Sequence, residues 1–185
     1  MCQALGGMPS DKYESRGGPL GRAVADLLRR VSTNPVADVA TFSDALLFNY
    51  LAECPDGHAK NFALLFAGSQ TRLAPLYDLA TGAPYDKAGA DTRAAFAVGG
   101  VRRFGELYEK HLVAHAAEMR LDPDGRRRRA IELAQLIPDA FCDAFNDPAI
   151  DAAEPGLGAR LWRRMNQEPG NITERCATVL TRLHA

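Results

Sequence analysis

Hydrophobic residues recur at helical spacing in the first third of the chain. One set follows the i, i+4, i+7, i+8, i+11 pattern of a single helix face: Leu20, Val24, Leu27, Leu28 and Val31. A second set at helical spacing comprises Phe42, Leu46, Leu47, Tyr50 and Leu51. The sequence therefore predicts one helix from near Pro19 and another from near Val36, separated by Asn34-Pro35. The second helix should end before Cys54-Pro55, because a residue that precedes proline avoids the helical region.

Two short apolar runs after the second helix predict a β-hairpin. They cover Phe62–Ala67 and Arg72–Leu79, and the turn between them contains a glycine. Residues 80–103 are expected to form mainly loop, with a short strand at Ala94–Val98. Further helices are predicted near 104–119, 125–136, 138–146 and 157–183. The sequence therefore predicts a mostly α fold with a small β-hairpin, of the α+β class, as a single domain over residues 1–185.

The composition argues against several classes of protein. The chain has 22 Lys and Arg against 23 Asp and Glu, a net charge of −1, which argues against non-specific binding to nucleic acid or anionic membranes. No apolar run approaches the roughly 20 residues that span a bilayer, and the first residues lack the pattern of a signal peptide. The four cysteines form no CxxC pair, so reduced thiols and a cytoplasmic location are expected.

Polar side chains cluster in the loop between the second helix and the hairpin. Asp56, His58, Lys60 and Asn61 lie there, and Asp78 is expected at the end of the second strand, where it can point back toward the loop. A carboxylate, an amide five positions later and a second carboxylate after a short hairpin follow the order of the catalytic and metal-binding residues of protein kinases. Turn chemistry is the alternative, because Asp-Gly is common at turns and a D-x4-N spacing has little specificity.

Two stretches of this region resemble the HipA family of bacterial toxin–antitoxin serine/threonine kinases. They are DGHAKNFALLF and RLAPLYDLATGAP; in that family a D-G-H-x-K-N loop and a Y-D motif take the catalytic-loop and metal-binding roles. The opening MCQALGGMPSDKYESRGGP resembles the family's segment that leads into the C-lobe helices. A weaker likeness continues through the helical tail. The resemblance covers nearly the whole chain and implies the helical C-lobe of a protein-kinase-like fold.

The resemblance also implies roles for individual residues. Asp56 would be the catalytic base that takes the proton of the substrate hydroxyl, and Asn61 and Asp78 would hold Mg²⁺ against the phosphates of ATP. Lys60 would offset developing phosphate charge, while His58 would either contact the nucleotide or support the loop. The residues implied to line the nucleotide site are His58, Ala59, Lys60, Asn61, Tyr77, Asp78, Leu79 and Ala80.

The sequence departs from the family in lacking an N-lobe. It has no G-x-G-x-x-G or G-x4-G-K-[ST] motif, so half of the expected phosphate clamp is missing. We expect a fragment, a truncated frame or one half of a split kinase, with little activity unless a separate N-lobe polypeptide is present. The alternative is a non-catalytic remnant that binds an antitoxin or another kinase half.

The resemblance implies partners as well. They are a HipB-like antitoxin, DNA only indirectly through that antitoxin, and a protein substrate, for which the family suggests an aminoacyl-tRNA synthetase by analogy.

Three other parts of the helical region contain candidate site residues. His111, His115 and Glu118 share a helix face, but they lack the glutamate of H-E-x-x-H and are interpreted as a solvated face. The arginines 126–129 could grip phosphate, although a solvated helix face is the favoured interpretation. Trp162 is expected to pack in the core beside the last helix.

Overall fold

The computed structural model describes residues 1–84 and 92–184, so part of the predicted loop 80–103 and Ala185 lie outside the described residues. Within these ranges the chain forms helices and two small antiparallel sheets. The helices are α1 (Gly21–Val31), α2 (Pro35–Leu51), α3 (Glu109–Met119), α4 (Pro123–Phe145), α5 (Pro148–Ala153), α6 (Leu157–Asn166) and α7 (Ile172–His184). The strands are β1 (Leu64–Ala67), β2 (Gln70–Leu73), β3 (Arg93–Val98) and β4 (Val101–Arg103). The mostly α fold with a small hairpin is confirmed.

Helix α2 runs through the centre of the fold. Asn34 caps its first turn by accepting a hydrogen bond from the Ala37 amide, and Pro35 takes the first helical position, where no amide proton is needed. The fully buried Phe42 ring meets Phe62 and Phe96 edge to face, with centroids 4.9 and 5.9 Å away. This aromatic cluster joins α2 to the end of the polar loop and to β3.

The first hairpin is fastened to α2 by a buried carboxylate. Asp38 accepts hydrogen bonds of 2.8 and 3.1 Å from the Arg72 guanidinium, 2.8 Å from the Leu73 amide and 2.6 Å from the Ser32 hydroxyl. Burial alone raises the pKa of Asp38, but these donors hold it below its ordinary value. The hairpin that follows the polar loop is therefore held in a fixed position on α2.

The second strand of this hairpin is shorter than the sequence predicts. It ends at Leu73 rather than Leu79, after pairing with β1 from Leu64↔Leu73 to Ala67↔Gln70. The Ala74 amide still bonds to the Ala63 carbonyl at 2.9 Å, and the chain then leaves the sheet. The predicted strand at 94–98 is confirmed as part of β3, but its pairing with β4 in a second hairpin was not predicted.

The predicted helix boundaries in the second half of the chain were partly wrong. The stretches 125–136 and 138–146 form one continuous helix, α4, with Pro138 inside it. The stretch 157–183 is two helices, α6 and α7, and α5 was not predicted. The buried face of α4 before Pro138 comprises Ala130, Leu133, Ala134 and Ile137. Beyond the proline, the partly buried Phe141 and Phe145 pack against the core, so the helix continues through Pro138.

Candidate active site

The polar loop leaves α2 through a tight turn. The Cys54 amide bonds to the Asn49 carbonyl at 2.8 Å, and Glu53 adopts a positive φ of 55°. A Cβ atom at Gly57 would lie 2.5 Å from the Asn49 side-chain nitrogen, so this close approach requires glycine. The loop then turns back with a 2.8 Å bond from the His58 amide to the Asp56 carbonyl. Asp56 is thereby presented at the surface, with 58% of its side chain exposed.

Asn61 connects the two ends of the candidate site. Its Nδ2 atom donates to the Asp78 carboxylate at 2.7 Å and to the main-chain oxygen of Asp56 at 3.2 Å. It also lies 3.5 Å from the main-chain oxygen of Asp78. The structure therefore brings Asp56, Asn61 and Asp78 together, as the sequence analysis expected of them.

Asp78 reaches this position by a route that differs from the expected one. It does not lie at the end of a strand, because β2 has already ended at Leu73. Instead, Asp78 has a positive φ of 57°, in the left-handed region that few residues other than glycine adopt. Strained backbone of this kind clusters at functional sites. Here it lies at the residue whose carboxylate accepts the Asn61 bond.

The Asp56 carboxylate is surrounded by donors from the start of the chain. The Tyr13 hydroxyl donates a hydrogen bond to Oδ1, and the Lys12 ammonium lies 3.6 Å from the same oxygen. Burial by itself raises the pKa of Asp56, but the Tyr13 hydrogen bond and the Lys12 charge hold it below its ordinary value. Asp56 is therefore ionised at neutral pH and able to accept a proton.

His58 lies beneath Asp56 rather than at the surface. Only 5% of the residue is exposed, its Nε2 is 3.5 Å from Asp56 Oδ1, and its ring meets that of Tyr13 at 5.2 Å between centroids. Burial holds the pKa of His58 below its ordinary value, so the ring is neutral at pH 7. Of its two expected roles, this geometry matches support of the loop.

Lys60 and Tyr77 line one wall of a cavity of about 540 Å³. The Tyr77 hydroxyl donates to the Lys60 carbonyl at 2.8 Å, which ties the segment before Asp78 to the loop. The rest of the lining is mostly apolar and includes Cys2, Phe62, Leu64 and Phe66.

The other residues expected at the nucleotide site do not line this cavity. Ala59 is fully buried, with its amide 3.2 Å from the Lys12 carbonyl. Leu79 and Ala80 are exposed beyond Asp78.

Lys12 and Tyr13 are the site residues that sequence reasoning did not assign. They lie 43 residues and more before Asp56 along the chain, and no local pattern predicts their approach. The available signal was their place in the segment MCQALGGMPSDKYESRGGP, which itself carries the family resemblance.

Comparison with known proteins decides the family. The sequence model described as "HipA-like C-terminal domain" matches residues 1–141. The chain belongs to this family. Among curated proteins, Y4mE of Sinorhizobium fredii is 45% identical over 84 residues, which are 45% of this chain and 20% of Y4mE. The serine/threonine-protein kinase toxin HipA of Shewanella oneidensis is 29% identical over 155 residues, which are 78% of this chain and 35% of that protein.

A solved structure shows the same fold as this HipA-like domain. It is the complex of HipA, HipB and operator DNA from Shewanella oneidensis, matched with a TM-score of 0.69 and 24% identity. The match covers 95% of this chain and 44% of the chain compared, so the predicted kinase-like fold is confirmed. The chain spans less than half the length of its matched relatives.

The histidine and arginine groups noted in the sequence make structural contacts within the HipA-like domain. His115 was expected on a solvated face but is fully buried, with Nε2 2.9 Å from the Ser43 hydroxyl. Burial lowers its pKa to about 4. Arg126 and Arg129 were also expected on a solvated face, yet both bind the Asp44 carboxylate.

The described residues contain no group of three or more His, Cys, Asp and Glu side chains that could hold a metal ion. No helix in residues 1–84 and 92–184 has the length and hydropathy to cross a membrane.

Proposed function

We propose that this HipA-like domain is the catalytic lobe of a serine/threonine protein kinase that transfers the γ-phosphate of ATP to a protein hydroxyl. The observation that carries the proposal is the position of Asn61, whose amide joins the Asp56 main chain to the Asp78 carboxylate. A kinase site needs a base and two metal-binding side chains close together, as Asp56, Asn61 and Asp78 are here. Turn formation in the loop from Asp56 to Asn61 would not require the bond from Asn61 to Asp78.

Asn61 and Asp78 fit Mg²⁺ by the chemistry of their donors. Because Asn61 Nδ2 is occupied by oxygen acceptors, the amide oxygen Oδ1 remains as a ligand, and the Asp78 carboxylate supplies a second. Amide and carboxylate oxygens are ligands that Mg²⁺ accepts. When bound, Mg²⁺ would neutralise charge on the phosphate oxygens.

Asp56 supplies the proton acceptor in this proposal. As the acceptor hydroxyl oxygen forms its bond to the γ-phosphorus, its proton passes to the Asp56 carboxylate, and the bond from phosphorus to the departing ADP oxygen breaks. Tyr13 occupies Oδ1, which leaves Oδ2 for the hydroxyl. Tyr13 and Lys12 keep the pKa of Asp56 low, so it begins the step ionised despite partial burial.

The cavity beside Lys60 suits a nucleotide that extends away from Asp78. Its apolar lining can take the base, and the exposed Lys60 ammonium can offset phosphate charge. Tyr77 contributes by holding the loop to the Asp78 segment. The buried His58 ring lies next to the Asp56 carboxylate and supports it.

We infer that a further lobe completes the phosphate clamp. The Shewanella oneidensis kinase toxin HipA is nearly three times as long as the matched region, since this chain covers 35% of it. The isolated HipA-like domain should therefore show little phosphotransfer. Since HipA of that organism occurs in a complex with HipB and operator DNA, an antitoxin of the HipB type is the proposed partner.

A second candidate function is a non-catalytic module that binds an antitoxin or another kinase half. The matches cover only 20% and 35% of the two curated relatives, which favours a module without a complete kinase site. The two functions differ in whether Asp56 is needed for phosphate transfer.

Transfer of labelled phosphate from Mg²⁺-ATP to a generic protein acceptor tests the proposal. The chain would be assayed alone and with the purified N-terminal region of Shewanella oneidensis HipA, in native, Asp56→Asn and Asp139→Asn forms. We expect transfer only in the mixture, with a loss of roughly 10²–10⁴-fold for Asp56→Asn, as for other general bases. Asp139 is exposed on α4, so its variant should match the native chain.

Two results would overturn this account. Equal transfer by the Asp56→Asn and native forms would exclude the base role, and robust turnover by the chain alone would exclude the need for a second lobe.

A further inference from the structure

A second, smaller cleft lies next to the candidate base and shares no lining residue with the cavity beside Lys60. It has a volume of about 220 Å³ and lies between the segment 13–16 and the second hairpin. We call it the arginine cleft, because three of its lining side chains are arginines. The lining residues are Tyr13, Ser15, Arg16, Pro55, Arg93, Ala94, Ala95 and Arg102.

The positive charge of the arginine cleft is a local feature. The whole chain carries a net charge of −1, so the cleft is not part of a generally basic surface. Among the described residues, neither Arg16 nor Arg102 forms an ion pair within 4.0 Å. Arg93 has interactions of its own, and the inference therefore rests on Arg16 and Arg102.

Glu14 is the acidic residue nearest Arg16 in sequence, and its carboxylate is already engaged. Its carboxylate accepts a 2.7 Å hydrogen bond from the Ala97 amide of β3. Burial raises the pKa of Glu14, although Arg102 opposes the shift. Glu14 thus fixes the segment 13–16 to the second hairpin, and its side chain is held at the backbone of β3 rather than at the Arg16 guanidinium.

The arginine cleft is linked directly to Asp56 by two of its own residues. Pro55 immediately precedes Asp56, and the Tyr13 hydroxyl donates to Asp56 Oδ1. The Arg16 guanidinium lies over the Tyr13 ring, 5.4 Å from its centroid. Tyr13 therefore contacts both the candidate base and an arginine of the cleft.

We propose that the arginine cleft binds an acidic side chain of the protein acceptor, close in sequence to the hydroxyl that receives phosphate. Guanidinium groups pair with carboxylates through two parallel hydrogen bonds, which gives orientation as well as affinity. A volume of about 220 Å³ accommodates one acidic side chain. The inference rests on the proposed kinase function and adds the substrate class: serine or threonine flanked by Asp or Glu.

Direct peptide binding tests the arginine cleft without requiring catalysis. Two fluorescein-labelled peptides share a central serine, and one carries flanking glutamates where the other carries glutamines. Fluorescence anisotropy, without nucleotide, would compare them on the native chain, on Arg16→Gln/Arg102→Gln and on Arg30→Gln. Arg30 is exposed on α1, so its variant tests for loss of charge elsewhere. Circular dichroism would confirm that each variant is folded.

We expect the native chain and Arg30→Gln to bind the glutamate peptide about tenfold more tightly than the glutamine peptide, as charged hydrogen bonds allow. The double glutamine variant should lose this preference, and Arg16→Lys/Arg102→Lys should retain part of it. Absence of a preference in the native chain, or its persistence in the double glutamine variant, would overturn the inference. Displacement of both peptides alike by inorganic phosphate would also overturn it, by showing a general anion site.

Failure of the kinase proposal can be distinguished from failure of the arginine-cleft inference. Transfer that does not depend on Asp56, together with an intact glutamate preference, would remove the acceptor role and leave a site for an acidic partner segment. Asp56-dependent transfer without a glutamate preference would remove the arginine-cleft inference alone.

Discussion

The side-chain amide of Asn61 donates a 2.7 Å hydrogen bond to the carboxylate of Asp78, across 17 residues of sequence. Two features of the fold produce this contact: the first hairpin is fixed to α2 through Asp38, and Asp78 adopts a left-handed backbone conformation. The same Asn61 nitrogen bonds to the Asp56 main chain. The proposed metal ligands and the proposed base are therefore held as one unit by a single side chain.

Replacing Tyr13 should change the titration of Asp56. The Tyr13 hydroxyl is a donor that favours the ionised carboxylate, so Tyr13→Phe should raise the pKa of Asp56 toward its ordinary value. Carboxyl carbon NMR across a pH series would measure it. The control is Tyr108→Phe, at the start of α3, which should leave the Asp56 titration unchanged. An Asp56 pKa that stays constant or falls in Tyr13→Phe would show that the hydrogen bond does not set the charge of the base.

His115 should make the fold sensitive to acid. Burial among apolar neighbours and the nearby Arg126 lower its pKa to about 4, against about 6.5 when the chain is unfolded. Between these values the unfolded chain binds the proton and the folded chain does not. Stability should therefore fall as the pH drops from about 6.5 to about 4, by up to about 3 kcal/mol from this residue.

Urea unfolding at a series of pH values would measure that loss. In His115→Gln the dependence on pH should be shallower than in the native chain over this interval. His184→Gln, at the exposed end of α7, should retain the native slope. Parallel profiles for native and His115→Gln chains would contradict a buried, neutral His115.

The sequence predicted those parts of the fold that depend on local pattern. The face of α1 and the core positions of α2 follow the 3.6-residue period, and both helices formed where that period placed them. The strand predicted to reach Leu79 ends at Leu73. The apolar residues after Leu73 lie in an irregular segment that does not pair with β1. The sequence predicts two helices that meet at Pro138, but α4 is continuous there, with buried Ile137 before the proline and the partly buried Phe141 and Phe145 packed against the core after it.

The candidate site, too, was predictable where its residues are close in sequence, and not where they meet through long-range contacts. The loop from Asp56 to Asn61 is contiguous, so spacing and resemblance located it. Asp78 was identified by its motif, but its left-handed backbone is a product of tertiary packing that no pattern expresses. Lys12 and Tyr13 meet Asp56 only because the chain start crosses the loop, where the Ala59 amide bonds to the Lys12 carbonyl. Such long-range contacts depend on the whole fold.

Calorimetric titration of Mg²⁺-ATP into the purified chain tests the central claim most directly, with Asp78→Ala and the control Asp143→Ala measured in parallel. Asp143 is exposed on α4 and does not line the cavity beside Lys60. The account predicts Mg²⁺-dependent binding by the native chain and the control, and its loss in Asp78→Ala. Absence of binding at millimolar nucleotide, or equal binding by the Asp78→Ala variant, would contradict the claim that Asn61 and Asp78 form a nucleotide–metal site.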